Sequence, residues 1–418
     1  MTATYFVRRV ATALPGPTCI DVFAGAGGLA EGFRQAGFRI LSGTDADPDA
    51  GETFRRNFSE ASFFQRPIRY VRGSQLLRDA GLRRGELDCL IGGPPCQAFS
   101  YNNHQRTHKS LRAGLFRSYL RIVRDLLPKV LVMENVPGIL TIGNGAVVTE
   151  IYNSLAALGY ECQARILYAE DFGIPQERRR VFFIATRLGW SDLLFPDGTH
   201  GPFPKPDPKS NPFVHHWERR PGKKYGDKRS ITVWGAIGDL PPLENGGSVE
   251  GRVYVHPPRT ELQRILRGRE RYLHNHATPL LHATTLARIS HVPPGGSWRD
   301  IPFELLPAGM RRARRSDHTK RYGRLHKRGR CCTILTKCDP HWGSYVHPVD
   351  QRAISVREAA RLQSFPDRFV FEGPPSRQFV QVGNAVPPLL ALGVGRAVRA
   401  HLEQAAQDAP LQELEAAD

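Results

Sequence analysis

A chain of 418 residues is long enough for a core domain plus a smaller lobe, and its 58 Lys+Arg against 40 Asp+Glu leave a formal charge of +18. That balance favours a polyanionic partner over an acidic small molecule. Seven cysteines without repeated CxxC spacing argue against a disulfide framework and for a reducing compartment. Cys331, Cys332 and Cys338 cluster without matching histidine spacing, so no metal is expected. No segment has the apolar length of a bilayer span, and residues 1–17 lack the apolar run of a signal peptide. A soluble, cytoplasmic protein with no membrane partner is the expectation.

Residues 18–23 read as a buried strand that runs into Ala24-Gly-Ala-Gly-Gly28, followed by a helical pattern through Leu29, Phe33 and Ala36. A strand, a glycine turn and a helix N-terminus place backbone N–H groups toward an anion or carboxylate. The same spacing also suits a dinucleotide, or a tight turn with no ligand. A second strand over 38–44 closes on Asp45, a carboxylate that can accept both hydroxyls of a ribose, with Asp47 and Asp49 near enough to compete for the role or simply to form a solvated turn. An adenosine-bearing cofactor is implied.

Residues 50–85 yield little beyond a third strand–helix unit. Residues 86–91 form a short apolar strand, and the stiff turn Gly92-Gly-Pro-Pro95 lifts Cys96 just past its carboxyl end. A thiol at that rim is a candidate nucleophile, although free cysteines are more often small buried hydrophobes. The polar stretch 98–112 suits either a mobile lid touching phosphates or a plain surface loop.

Helical spacing returns over 115–127, and the buried strand 129–136 abruptly presents Glu134 and Asn135. An acid after four apolar residues is costly to bury unless it is paired or protonated, which points to a functional placement. Residues 164–169 and 180–187 look like paired strands, and the connection between them ends in three arginines, Arg178 to Arg180. At least one of these should face the active rim.

From residue 188 the composition shifts, with seven prolines between 190 and 225. Residues 311–330 then carry ten Lys/Arg and one acid, with aromatic and histidine residues interleaved, a pattern suited to a phosphodiester backbone. Beyond it, 354–363 reads as a helix. Residues 380–388 read as a turn leading into a final apolar helix over 389–402, which returns to the core. The acidic tail from Glu403 is expected to be disordered.

Six stretches occur in this order: Asp21-Val-Phe-Ala-Gly-Ala-Gly-Gly28, Pro94-Pro-Cys-Gln97, Glu134-Asn-Val136, Gln176-Glu-Arg-Arg-Arg180, Arg357-Glu-Ala-Ala-Arg-Leu-Gln363 and Gly383-Asn-Ala-Val-Pro387. Together they resemble the cytosine-C5 DNA methyltransferases of bacterial restriction-modification type, over most of the chain outside 188–330. The resemblance implies an α/β fold, a Rossmann-like S-adenosylmethionine-dependent methyltransferase sheet with a smaller, irregular target-recognition lobe. Its expected bounds are 1–187 for the catalytic and cofactor-binding domain, 188–350 for the lobe, 351–402 for the return, and 403–418 for the tail.

The same resemblance assigns the cofactor S-adenosylmethionine to Phe23, Gly25, Gly27, Asp45, Pro94, Asn384 and Val386. One departure is Pro67, which stands where the family often has an acid for the adenine. Cys96 would add to cytosine C6, Glu134 would meet the N3 edge, and Arg180 with Arg178 would hold the base. Duplex DNA is the expected partner of a monomer that is nucleoid-associated if bacterial. Ser100, Arg112, Arg311, Arg312, Arg314, Arg315, Lys320 and Arg321 are the expected DNA contacts. The alternatives are a tRNA-methylating relative, a catalytically silent DNA-binding paralogue and, on the glycine turn alone, a nicotinamide dehydrogenase.

Overall fold

The structure is a computed structural model that describes residues 16–95, 114–201, 226–314, 316–317 and 320–415. Its centre is a seven-stranded sheet with helices on both faces. The strands and helices run β1 (Thr18–Val22), α1 (Gly28–Gln35), β2 (Arg39–Asp45), α2 (Pro48–Asn57), β3 (Ser62–Gln65), α3 (Gly73–Ala80), β4 (Cys89–Gly92), α4 (Leu115–Leu126), β5 (Val130–Asn135), α5 (Ala146–Ala156), β6 (Glu161–Tyr168) and β7 (Arg179–Thr186).

The strand order is β3-β2-β1-β4-β5-β7-β6, with β1 to β5 parallel and β7 antiparallel to both its neighbours. The chain winds outward from β1 to β3, then returns to the other side of β1 with β4. That reversal opens a crevice at the carboxyl ends of β1 and β4, the usual ligand position in such sheets. Both the glycine turn and the Gly92-to-Pro95 turn lie there.

The period of two in each strand explains the layers. Cys19, Ile91, Val130, Val132, Phe182 and Ile184 face one apolar cluster. Ile20, Val22, Leu90, Leu131, Met133, Val181 and Phe183 face the other, under α3 and α4. Strands buried on both faces are near-continuous apolar runs, which is why they were legible.

After β7 the chain forms α6 (Val233–Ile237), two small antiparallel pairs, β8 (Ser248–Val249) with β11 (His276–Ala277) and β9 (Arg252–Val253) with β10 (Tyr272–Leu273), and the helices α7 (Glu261–Arg267), α8 (Ala283–Ile289) and α9 (Ala308–Arg311). Ile289, Val292, Trp298, Ile301, Leu306, Met310, Tyr322 and Val346 make a separate small core. Val233, Ala236, Leu262, Leu266 and Leu273 instead join the apolar cluster under α1. The nearer part of the lobe therefore packs as a continuation of the catalytic core.

The chain then returns through α10 (Val356–Leu362), α11 (Pro375–Asn384) and α12 (Pro388–Glu415). A Cβ on Gly32 would lie 2.3 Å from Ala391 Cβ and 2.5 Å from the Pro388 carbonyl, so α1 and α12 approach as only a glycine allows. Two expectations differ from the structure. Residues 380–384 are the end of α11 rather than part of a turn, because Pro375 starts a helix that Gly383 does not interrupt. The backbone of α12 runs on to Glu415, where a disordered tail was expected from Glu403. Its Ala, Leu, Gln and Glu residues are strong helix formers, and they extend a helix that is already nucleated. No helix among the described residues is long and apolar enough to cross a membrane.

Buried charges fasten the return to the lobe. Arg361 lies fully buried between Asp239 and Asp367, donating to Asp367 Oδ1 at 2.8 Å, and Tyr254 donates to Asp367 Oδ2 at 2.5 Å. Arg352 holds Glu358 through both nitrogens at 2.8 and 2.9 Å, and Arg357 donates to the carbonyls of His274 and Phe369 at 2.8 Å. Asp367 is desolvated, but Arg361 more than offsets this and holds its carboxyl at about 2, below the ordinary 3.8. A depressed acid stabilises the fold above its unfolded pKa, and that contribution is lost as pH falls through the folded value. Asp367→Asn leaves Arg361 short of a partner and is expected to cost about 3–5 kcal/mol at pH 7, with a shallower loss of stability in acid. Urea unfolding at pH 7 and pH 3 measures both effects.

Candidate active site

The site is assembled from four chain ends at the rim of the sheet. The first is the turn after β1, where Phe23, Gly25 and Gly27 all have positive φ, at 61°, 54° and 96°. Left-handed backbone is costly for phenylalanine, so the turn is held by its surroundings. Ala24 N–H donates to the Thr44 carbonyl at 2.9 Å, and Gly25 N–H donates to Asp45 Oδ2 at 2.8 Å. A Cβ on Gly27 would strike the Phe58 ring at 2.5 Å, whereas one on Gly25 would meet nothing within 4 Å. Gly27 is needed for packing, and Gly25 borders open space.

Asp45 also accepts the Asp47 N–H on Oδ1 at 2.9 Å. With about four lone-pair sites on a carboxylate, these main-chain donors and that of Ala46 leave acceptor capacity for a hydroxyl. Burial raises its carboxyl pKa, and those main-chain donors oppose the rise. Beneath the turn lies Asp21, an acid that sequence reasoning passed over. Burial, reinforced by Asp45, pushes its carboxyl well above the carboxylate range, with the main chain of Ala30 acting the other way. The signal was available, since an acid inside an otherwise apolar strand is costly.

On the far side of the turn, a Cβ on Gly28 would lie 2.6 Å from the Val386 carbonyl and 2.9 Å from Ala385 Cβ. The structure thereby brings the segment containing exposed Asn384 and buried Val386 against the glycine turn. These cradle residues fit a nucleoside cofactor: an open glycine face, a carboxylate with spare acceptors, and a helix start. Pro67, at the position where the resemblance leads to an acid, caps the short turn Ile68–Tyr70 after β3.

The second and third ends are the exits of β4 and β5. Asn135 Nδ2 donates to the Pro94 carbonyl at 3.0 Å and its Oδ1 accepts the Val136 N–H at 2.9 Å, which pins the turn before Cys96 to β5. Pro94 is buried and Pro95 is exposed. Cys96 itself, the polar stretch 98–112 with Ser100 and Arg112, and Arg315 lie outside the described residues. A Cβ on Gly93 would sit 3.0 Å from Glu134 Oε2, so the β4 exit passes directly over the Glu134 carboxylate.

The fourth end is the entry to β7. Arg180 Nε meets Glu134 Oε1 at 2.7 Å, and the two side chains are only 13% and 12% exposed. Burial raises the Glu134 pKa, while Arg180 and then Arg178 pull it down. Burial likewise lowers the Arg180 pKa against Glu134. Two arginines were expected on the substrate, and here the structure differs. Arg178 is fully buried and donates to the carbonyls of Ile334 at 3.1 Å and of Gly383 and Ala385 at 2.8 Å. Gln176 beside it donates to the Leu362 carbonyl at 3.1 Å and to Gln363 Oε1 at 3.0 Å, and accepts the Ile334 N–H at 3.2 Å. Three distant segments are fixed around these two side chains.

The expected DNA contacts also divide. Arg311 donates to the carbonyls of Leu306 at 3.1 Å and Glu304 at 2.8 Å, which shapes the turn before α9, while Arg312 and Arg314 are exposed. Lys320 and Arg321 are half-buried. Two arginines counted in the same basic run are structural. Arg324 is buried among carbonyls of Ile289, Val292, His347 and Asp350, and Arg330 is nearly covered beside Glu170 and Glu177. Among the described residues no group of His, Cys, Asp and Glu could hold a metal ion.

Arg178→Met should therefore cost roughly 3–5 kcal/mol in urea unfolding, because three carbonyls lose a buried charged donor. Arg180→Met should cost less, because Glu134, with its pKa already raised by burial, can take up a proton when its partner is removed.

A profile described as "C-5 cytosine-specific DNA methylase" matches residues 17–400. Type II methyltransferase M.AgeI of Thalassovita gelatinovora is 32% identical over 442 residues, covering 91% of this chain and 98% of that one. Type II methylase M.HgiDII of Herpetosiphon aurantiacus is 30% identical, with 92% and 95% covered. The solved structure of a DNA modification methyltransferase encoded within an E. coli prophage superposes with a TM-score of 0.70, covering 93% of this chain and 100% of that one. At 23% identity that likeness bears on the fold alone. The chain belongs to the C-5 cytosine-specific DNA methylase family.

Proposed function

We propose that this enzyme, a DNA (cytosine-5-)-methyltransferase by its family, acts on a cytosine extruded from a specific duplex sequence through a covalent bond between Cys96 and ring C6. The observation that carries the reading is the Glu134–Arg180 pair, held at 2.7 Å on the sheet rim against Gly93, three positions before Cys96. S-adenosylmethionine, when bound, supplies an activated methyl group. Phe23, Gly25, Gly27, Asp45, Pro94, Asn384 and Val386 are the residues that would hold it.

Cytosine C5 is too poor a nucleophile to take a methyl group directly. Addition of the Cys96 thiolate at C6 forms a sulfur–carbon bond and moves the ring electrons toward C5 and N3. Glu134 has a pKa raised by burial, so its protonated form can donate to N3 as that charge develops. Arg180 orients the Glu134 carboxyl and stands beside the base. Arg178, committed to main-chain carbonyls, acts at one remove by fixing the strand entry. Once C5 carries the methyl group, loss of the C5 proton to a base re-forms the C5–C6 double bond as the sulfur–carbon bond breaks, and the proton on N3 returns to Glu134. Because the reacting face is stacked inside a duplex, the nucleotide must leave the stack, at a cost of a few kcal/mol offset by the pocket. The Type II names of its relatives support a role as the modification half of a restriction-modification pair.

Incubation with labelled S-adenosylmethionine and duplex DNA, tRNA or neither should label DNA alone. Labelling of tRNA instead overturns the substrate assignment. Cys96→Ala should abolish transfer while retaining DNA binding, and only the wild type should form a denaturant-stable adduct with duplex containing 5-fluorocytosine. For Glu134→Gln, kcat is expected to fall roughly 10²–10⁴-fold. In the wild type the rate should decline as pH rises through the elevated Glu134 pKa, since the proton donor is lost.

A further inference from the structure

Residues 335–345 leave the catalytic rim and come back to it as a closed loop. At its base the Leu335 N–H donates to the Tyr345 hydroxyl at 3.0 Å. The same base rests on the arginine motif and on α11, because the Ile334 carbonyl is held by Arg178 and Gly383 sits so close to the Leu335 carbonyl that a Cβ there would be 2.3 Å away. Whatever the loop presents is therefore fixed relative to Glu134 and Arg180.

What it presents is Trp342, which is 49% exposed. The indole is not loosely placed. An Asp339 turn holds it, with His341 N–H donating to Asp339 Oδ1 at 2.8 Å and Trp342 N–H to the Asp339 carbonyl at 2.9 Å. The His341 ring stands edge-on at 5.1 Å and shares a 2.9 Å hydrogen bond with the Tyr322 hydroxyl. Tyr322 is buried in the core of the lobe. Ser344 donates to the Lys320 carbonyl at 3.1 Å, which ties the loop to the basic run.

Two cations converge on this ring, Arg321 with its Cζ 5.2 Å from the centroid and Lys337 with its Nζ at 5.6 Å. Each cation–π contact is favourable, but bringing both charges to one half-exposed ring costs repulsion that Asp339, engaged in the turn, offsets only in part. An anion with a flat apolar face resolves both tensions. Nucleic acid supplies that combination, with base or sugar on the ring and phosphate on the cations.

We infer that Trp342 is a DNA-contacting residue of the target lobe, its ring packing on a base or deoxyribose beside the reacting cytosine while Arg321 and Lys337 take the adjoining phosphates. This rests on the DNA-methylating role proposed above and adds to it a recognition residue outside the basic run. The test uses the full-length chain with a duplex carrying its methylation site, and compares wild type, Trp342→Ala, Trp342→Phe and the double variant Arg321→Gln/Lys337→Gln.

Trp342→Ala should raise the DNA Kd and KM about 10- to 100-fold, with a smaller change in kcat. S-adenosylmethionine affinity and the melting temperature should stay as in wild type, and Trp342→Phe should recover most of the DNA affinity. The double variant should reduce the slope of log Kd against log salt by about 2, one for each phosphate contact. If wild type methylates the duplex and Trp342→Ala matches its KM and Kd, the proposal fails while the enzyme's function stands. If wild type neither binds nor methylates DNA, the functional reading fails first and takes this inference with it.

Discussion

One buried guanidinium does more than any other group to make this site a single object. Arg178 stands immediately before β7, yet its donors reach Ile334 and the pair Gly383 and Ala385, from segments more than a hundred residues further on. A charge so far from water is tolerable only when carbonyl dipoles surround it, so the arrangement admits little variation. Gln176 and Gln363 extend the constraint, since Gln363 donates to the Val382 carbonyl at 2.6 Å. The glycine turn after β1, the acid at the rim and the loop bearing Trp342 inherit their relative positions from this junction.

The protein's surplus of arginine is used in two physically different ways. Some side chains, Arg312 and Arg314 among them, stand in solvent, where their field can draw in a polyanion over the distance set by ionic screening. Others, such as Arg324, Arg352, Arg357 and Arg361, are buried and satisfied by carbonyls and carboxylates. The planar fork with its five donors suits both tasks, and lysine could replace few of the buried set. Net charge alone overstates the surface available to DNA.

The sheet was legible because β1, β4 and β5 are short apolar runs that end abruptly in glycine or in polar residues, and because burial on both faces permits little else. Glu134 stood out for the same reason: a carboxyl after Val130 to Met133 has no cheap explanation. Arg178 and Arg180 could not be told apart in sequence, since they differ only in what lies opposite them, and those partners are far along the chain. The end of α11 was obscured by the glycine at 383 and the prolines at 387 and 388, although Pro375 marks its start. Arg324 and Arg330 were read as part of a phosphate-binding run because composition reports charge and is silent on depth.

The close seating of α1 on α12 bears on how the molecule is made. Gly32 lies against Ala391 and Gly28 against Val386, residues made long after the glycine turn and α1. Contacts so distant in sequence carry a large loop-closure cost and form late. A nascent chain that has not yet made α12 therefore holds the glycine turn open on the side that α12 later covers.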